Sequence, residues 1–372
     1  MFDWNSSLQK TIEAILKTEE TPILVVDKRI IKQKYQEFCS EFSNAKVYFA
    51  LKANPHPGVV DLLQEIGCDF EISSYGELDL LLRLGIPVQR IISSNPVKNP
   101  AFIKAAHESG IEVFTFDSPT EVDKLSSLAP GSKVYARLSV PNEGSEWPLS
   151  KKFGVEVEEA AELLVQARNK GLEPYGITFH VGSQNTQAPA WETAIERSRA
   201  VWELVAKEGI ELQRLNIGGG FPIQYTKPVP SIAEVAGEIK TYLARAFPQG
   251  IGLELAPGRA LLGESGILVT SVIGKANRSG EKWLYTDVGV FNGLMETVGG
   301  IKYPMLTAKE TAKSKWVLAG PTCDSFDVVS TEAELPELEV GDRIYILSAG
   351  TYTTAYASEF DGFKIPGVYY IE

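Results

Sequence analysis

The chain has 372 residues, enough for one large domain or two, and its 44% hydrophobic and 23% charged content is that of an ordinary globular protein. A net charge of -12 argues against nucleic acid or an anionic membrane as partner and suits a cationic ligand. No apolar run approaches the roughly 20 residues of a membrane span, and Met1-Phe-Asp-Trp-Asn5 lacks a signal-peptide pattern. The three cysteines, Cys39, Cys68 and Cys323, are too scattered for a zinc motif, so no metal site is expected, and a reducing, cytoplasmic setting is.

Residues 22–26 (Pro-Ile-Leu-Val-Val) read as a strand that precedes a long alternation and joins a later β region. From residue 45 the chain alternates strand and helix, with strands beginning near Val47, Cys68, Arg90, Glu112, Lys133, Pro174, Glu211 and Gly250. Between them lie helical patterns at Val59–Ile66, Glu77–Arg83, Glu158–Lys170, Trp191–Ala206 and Ile232–Phe247, whose leucines and alanines recur at three and four. Eight such units fit a parallel (β/α)8 TIM-like barrel over 29–262 better than an open doubly wound sheet. Beyond residue 263 the segments Gly266–Ile273, Lys282–Thr286, Trp316–Ala319 and Asp342–Leu347 read as strands without long helices between them. They predict a C-terminal, mostly-β domain (barrel or sandwich) of 263–372 with 1–28.

Val47–Leu51 read as a buried strand closed by Lys52, which is either a surface residue or a partly desolvated, nucleophilic amine. In parallel barrels the chemistry sits at the C-terminal strand ends. Those ends carry Lys52, Glu71 with Ser73, Asn95, Asp117, Arg137, His180, Gly218–Gly220 and Arg259, a strongly polar set. Asn216-Ile-Gly-Gly-Gly-Phe-Pro222 presents backbone N–H groups without side-chain obstruction, and Pro257-Gly-Arg259 adds a guanidinium at the next strand end. Together they read as a phosphate site, with Ser183 placed to add a hydroxyl. His180 is either a structural hydrogen-bonding residue or a flat partner for a heteroaromatic ring.

Taken in order, Tyr48-Phe-Ala-Leu-Lys-Ala-Asn54, Phe179-His-Val-Gly-Ser183, Gly218-Gly-Gly-Phe-Pro222, Pro257-Gly-Arg259, Gly320-Pro-Thr-Cys-Asp-Ser-Phe-Asp327, Gly350-Thr-Tyr-Thr353 and Phe360-Asp-Gly-Phe363 resemble the fold-type III pyridoxal-phosphate decarboxylases of basic amino acids, the ornithine/lysine decarboxylase family. The resemblance implies that Lys52 carries pyridoxal 5'-phosphate through its amine, that His180 stacks on the ring, and that Ser183, Gly219, Gly220, Arg259 and Tyr352 hold the phosphate. Glu71 and Arg137 would lie beside the cofactor, with Glu77 near the phosphate loop. The same resemblance implies a homodimer with shared sites. Cys323 would come from the second subunit as proton donor and Asp324 as the clamp for the substrate's distal amine, while Lys152 would pair with Asp327 across the interface. Glu296 and Phe360 would shape the substrate pocket.

Two positions depart from the family's pattern: Ala256 stands where a glutamate normally precedes Pro-Gly-Arg and partners the ring nitrogen, and Glu71 replaces an aspartate. The expected activity is decarboxylation of ornithine or lysine, ahead of arginine, to a polyamine-type diamine. The alternatives are a decarboxylase-like regulator that has lost its chemistry and a racemase on the same barrel, which Cys323-Asp324 disfavours.

Overall fold

The computed structural model describes residues 6–148 and 151–372. The expectations for residues 1–5 lie outside these. The chain forms two compact units. One comprises Tyr35–Pro222 with Pro230–Ala260; the other comprises the segment ending at Lys34, Ile223–Val229 and Leu261–Glu372.

The first unit is a closed, all-parallel barrel of eight strands: Ala45–Ala50, Asp69–Ile72, Ile91–Ser93, Val113–Phe116, Lys133–Arg137, Glu173–Thr178, Arg214–Asn216 and Gly252–Leu255. Chain order is ring order, and Leu253–Leu255 pair with Ala45–Val47 to close it. Phe49, Phe70, Phe114, Val134, Ile177 and Leu215 are buried, as strands covered by helices require. The helices start where the sequence supplies caps. Ser74 accepts from Glu77 N–H, Ser118 from Glu121 N–H, and Ser231 and Glu234 form a reciprocal capping box. Proline opens Pro57–Glu65, Pro100–Glu108, Pro119–Leu128 and Pro189–Lys207, where its missing N–H costs nothing. Each cap ends a strand-to-helix loop at a defined residue, and those loops carry the polar rim.

The strand expected over Val47–Leu51 ends one residue earlier. Leu51–Ala53 turn as a short 3-10 helix, closed by Asn54 N–H donating to Leu51 O at 3.1 Å, so Lys52 sits on a turn rather than in the sheet.

The second unit is built on an eight-stranded, mostly antiparallel sheet. Its long strand Gly266–Arg278 changes partners midway. Gly266–Val269 pair with Ile23–Val26 and Leu268–Ser271 with Arg343–Ile346, whereas Val272–Arg278 pair with Glu281–Thr286 across an irregularity at Val272/Gly274. The early strand Ile23–Asp27 therefore joins this unit, where it also runs parallel to Gly367–Ile371. Helix Ser6–Ile15 packs Leu8 and Ile12, with Leu16 just beyond it, on Ile23, Val25, Ile267, Val269 and Tyr345. The sequence reading missed that helix, and it missed the strands Met305–Thr307, Val328–Leu335 and Gly367–Ile371. Val328–Leu335 alternates with several exposed polar residues, and its pairing with Ser314–Ala319 contains two register irregularities. Among the described residues no helix is long and apolar enough to cross a membrane.

Candidate active site

The C-terminal ends of the barrel strands gather eight of the expected residues: Lys52, Glu71, Arg137, His180, Ser183, Gly219, Gly220 and Arg259. Lys52 is exposed at its turn, so the amine is open to a ligand rather than desolvated by protein atoms. Burial pushes the Glu71 carboxyl up, opposed by a hydrogen bond from Ser94 and the charges of Lys52 and Arg137. Burial likewise pulls the Arg137 guanidinium down, opposed by Glu71 and Asp117. These are two cations and two carboxylates close enough to sense one another. Asp117 also accepts Gly154 N–H at 2.8 Å, which ties the following loop to the rim. Glu77 caps the neighbouring turn, accepting Ser73 N–H at 2.6 Å, and burial raises its carboxyl.

His180 is held neutral. Burial lowers its imidazole well below the ordinary value, and the charges of Lys52 and Arg137 add to the effect. Its Nδ1 accepts Gly182 N–H at 3.0 Å, which leaves the proton of the neutral ring on Nε2. A neutral flat ring with a fixed tautomer suits stacking better than acid–base work.

The glycine run is constrained by contact as well as conformation. Gly218 and Gly220 have φ of 66° and 99°, and Asn216 Oδ1 accepts Gly218 N–H at 2.9 Å. A Cβ on Gly219 would lie 2.7 Å from Ala256 O and 3.4 Å from His180 Nε2. Arg259, only 3% exposed, donates from Nε to Ser183 Oγ at 3.1 Å. A buried guanidinium, a hydroxyl and a side-chain-free backbone thus meet at one edge of the rim, the donor set that a phosphate monoester takes. With a lysine amine on the same rim, the residues fit pyridoxal phosphate.

Glu254, two residues before Ala256, is committed elsewhere. It lies inside the barrel, where its Oε2 accepts from Tyr135 Oη at 2.8 Å, and Ile217 N–H bonds its backbone in regular register. No bulge shifts the strand toward the rim.

The remaining expected residues, Tyr352, Cys323, Asp324, Glu296 and Phe360, belong to the β unit. Tyr352 has φ 56°, in the left-handed region. Glu296 is buried, at 2% exposure. Cys323 and Asp324 lie exposed on a loop held by several hydrogen bonds. Asp327 accepts Thr322 N–H at 3.1 Å and Oγ at 2.7 Å, together with Val290 N–H at 2.7 Å, and Asp324 Oδ1 accepts Phe326 N–H at 2.8 Å. Asp324 is therefore a turn residue as well as an exposed carboxylate. Phe360 is exposed and packs on Phe291 with ring centroids 4.7 Å apart. The sequence reading missed Asp361, whose Oδ2 accepts both Cys323 N–H and the Cys323 thiol, although the residue lay inside the quoted Phe360-Asp-Gly-Phe363.

A family model described as the pyridoxal-binding domain of pyridoxal-dependent decarboxylases matches residues 28–263. A lysine/ornithine decarboxylase from Selenomonas ruminantium is 35% identical over 96% of this chain and 91% of its own length. An antizyme inhibitor 2 from Xenopus laevis is 32% identical over 98% of this chain and 84% of its own. The crystal structure of a lysine/ornithine decarboxylase from Vibrio vulnificus, complexed with cadaverine, matches with a TM-score of 0.92 at 32% identity over 99% of each chain. With the barrel, the cradle and the lysine already in place, these likenesses make the chain a member of the fold-type III ornithine/lysine decarboxylase family, whose cofactor is pyridoxal 5'-phosphate.

Proposed function

We propose that this protein decarboxylates a small cationic amino acid, ornithine or lysine, to the corresponding diamine and carbon dioxide. The observation that carries this reading is the rim itself. An open lysine amine, a neutral histidine of fixed tautomer and a Ser183–Arg259–glycine cradle converge on one end of a barrel whose relatives include lysine/ornithine decarboxylases.

Pyridoxal phosphate, when bound, supplies the electron sink for the pair released as carbon dioxide departs. The chain supplies position and charge. Lys52 would anchor the cofactor; Ser183, Gly219, Gly220 and Arg259, joined by Tyr352, would hold its phosphate; His180 would stack on its ring, and Glu71 and Arg137 would supply charge beside it. Cys323 delivers the proton to the α-carbon, and Asp324 binds the distal ammonium, with Glu296 and Phe360 limiting chain length. The exposed Cys323–Asp324 loop supports a site shared between two copies of the chain, a homodimer, and three free cysteines suit a reducing cytoplasm.

Carbon dioxide release from ornithine, lysine and arginine, with borohydride trapping of a pyridoxyl group on Lys52, tests the reading. Absence of both signals in purified, cofactor-supplemented protein would overturn it. A second reading, a regulator that keeps the fold with weakened chemistry, is favoured by Ala256 and by the likeness to an antizyme inhibitor. It predicts a pyridoxyl label without appreciable carbon dioxide.

A further inference from the structure

The Cys323 loop has a partner inside its own unit. Asp361 Oδ2 accepts Cys323 N–H at 3.0 Å and Cys323 Sγ–H at 3.1 Å, so one carboxylate oxygen grips the backbone and the side chain of a single residue. Asp361 reaches this position from an unusual backbone. Its φ is 58°, in the left-handed region, at the tip of the short turn Phe360–Gly362. The turn is pinned on both sides to one stretch of chain. Ser358 N–H donates to Phe291 O at 2.9 Å, and buried Asn292 donates from Nδ2 to Lys364 O at 3.1 Å. Phe291 fills the space between, against Phe360 at 4.7 Å and Phe326 at 6.2 Å. The Cys323 loop is fixed to the same stretch through Asp327, which accepts Val290 N–H as well as Thr322 N–H and Oγ. Two loops anchored on 290–292 therefore meet at one thiol–carboxylate contact.

We propose that Asp361 is a positioning residue for Cys323, aiming the thiol and keeping the proton on sulfur until it is needed. The inference rests on Cys323 acting as proton donor in the proposed reaction. In that step the S–H bond breaks and a C–H bond forms with the electron pair left on the α-carbon by carbon dioxide. The sulfur keeps the S–H pair as thiolate and regains its proton from water. A thiol that ionised beforehand would have no proton to give and would be open to alkylation and oxidation. A carboxylate in contact opposes that ionisation. The titratable groups acting on the thiol are Asp361, through the hydrogen bond and its charge, and more weakly Asp324, and both push it above the ordinary thiol value. The contact correspondingly draws Asp361 below the ordinary carboxylate range.

The test is the rate of iodoacetamide labelling at Cys323 in the pyridoxal-phosphate-loaded protein, read peptide by peptide from about pH 6 to about pH 10. Exposed Cys39 serves as the internal reference. Asp361→Asn is the informative variant, because asparagine tolerates the left-handed backbone while losing the charge. In wild type the Cys323 profile should rise at higher pH than that of a simple model thiol. In Asp361→Asn its midpoint should fall, with labelling near neutral pH up several-fold and Cys39 unchanged. Asp324→Asn should move the Cys323 midpoint less. Identical Cys323 profiles in wild type and Asp361→Asn overturn the proposal. So does an Asp361→Asn enzyme whose only change is a raised KM, since that would make Asp361 a substrate ligand. The labelling uses no substrate, so it stands or falls separately from the decarboxylase reading, which carbon dioxide release decides.

Discussion

Tyr135 donates its phenolic hydrogen bond to Glu254 across the interior of the barrel, at 2.8 Å, joining strands that are not neighbours in the ring. Glu254 is 2% exposed, and burial pushes its carboxyl above the ordinary value of 4.5, opposed by the Tyr135 bond and by Lys46 and Arg214. The pair closes the barrel interior beneath the rim and commits Glu254 to a structural task.

Tyr135→Phe should leave that carboxyl without its buried donor and cost about 1–3 kcal/mol of stability, measured by urea unfolding. A carboxyl whose folded pKa is raised holds its proton more tightly folded than unfolded. Its contribution is thus most favourable in acid and declines as pH rises from 4.5 through the folded value. Glu254→Gln should remove this decline, so the variant gains stability relative to wild type at pH 8 compared with pH 4. A parallel pH dependence in both proteins would show that the group carries no such linkage.

On the proposed placement of the cofactor, Ala256 offers its ring nitrogen no carboxylate, and Glu254 is already bonded to Tyr135. Each pKa unit lost at that nitrogen weakens the electron sink by about 1.4 kcal/mol. Ala256→Glu is expected to raise turnover about tenfold or more and to change the absorption spectrum of the bound cofactor. A wild type already as fast as its relatives, or a variant with changed spectrum and unchanged rate, would count against this account.

Gly219→Ala places a Cβ 2.7 Å from Ala256 O. Relief requires moving backbone that also lines the cradle, and strain of about 1–3 kcal/mol is the expected scale. The pyridoxal phosphate concentration giving half-maximal activity should rise about tenfold, and the melting temperature of the cofactor-free protein should fall with the strain. Equal cofactor affinity in the two proteins would remove Gly219 from the phosphate site.

Nitrogen NMR should find His180 neutral from pH 8 to pH 6, with the proton on Nε2. Its folded pKa is depressed, whereas the unfolded chain takes up a proton near about 6.5, so stability should fall as pH drops below that value. His180→Gln should reduce this acid-side loss. Titration of His180 near its ordinary value would contradict the buried, doubly repelled environment.

The proposed sharing of the site between two copies of the chain is tested by complementation. Mixing Lys52→Ala and Cys323→Ala chains with free exchange gives hybrids holding one intact site of two, about a quarter of wild-type activity overall. No recovery, with exchange verified by native mass spectrometry, would confine each site to one chain.

The sequence by itself determined the barrel. Runs such as Val47-Tyr-Phe-Ala50 alternate with helices of leucine and alanine at three and four, and Ser-x-x-Glu caps mark where helices begin, so the local signals agree with the global fold. It also marked the donor set proposed for the phosphate, because three consecutive glycines and Pro-Gly-Arg end adjacent strands. Only the tertiary structure decided the contacts between distant residues. Tyr135 and Glu254 are 119 residues apart, and Cys323 and Asp361 are 38 apart. Their meeting depends on ring closure in one case and on two anchored loops in the other. The β unit was less legible for the same reason. Ile23–Asp27 was expected in this unit, but the strand it runs beside, Gly367–Ile371, was not seen, and neither was Val328–Leu335, which pairs with Ser314–Ala319 through two register irregularities; such pairing is set by sheet assembly, which no local periodicity encodes.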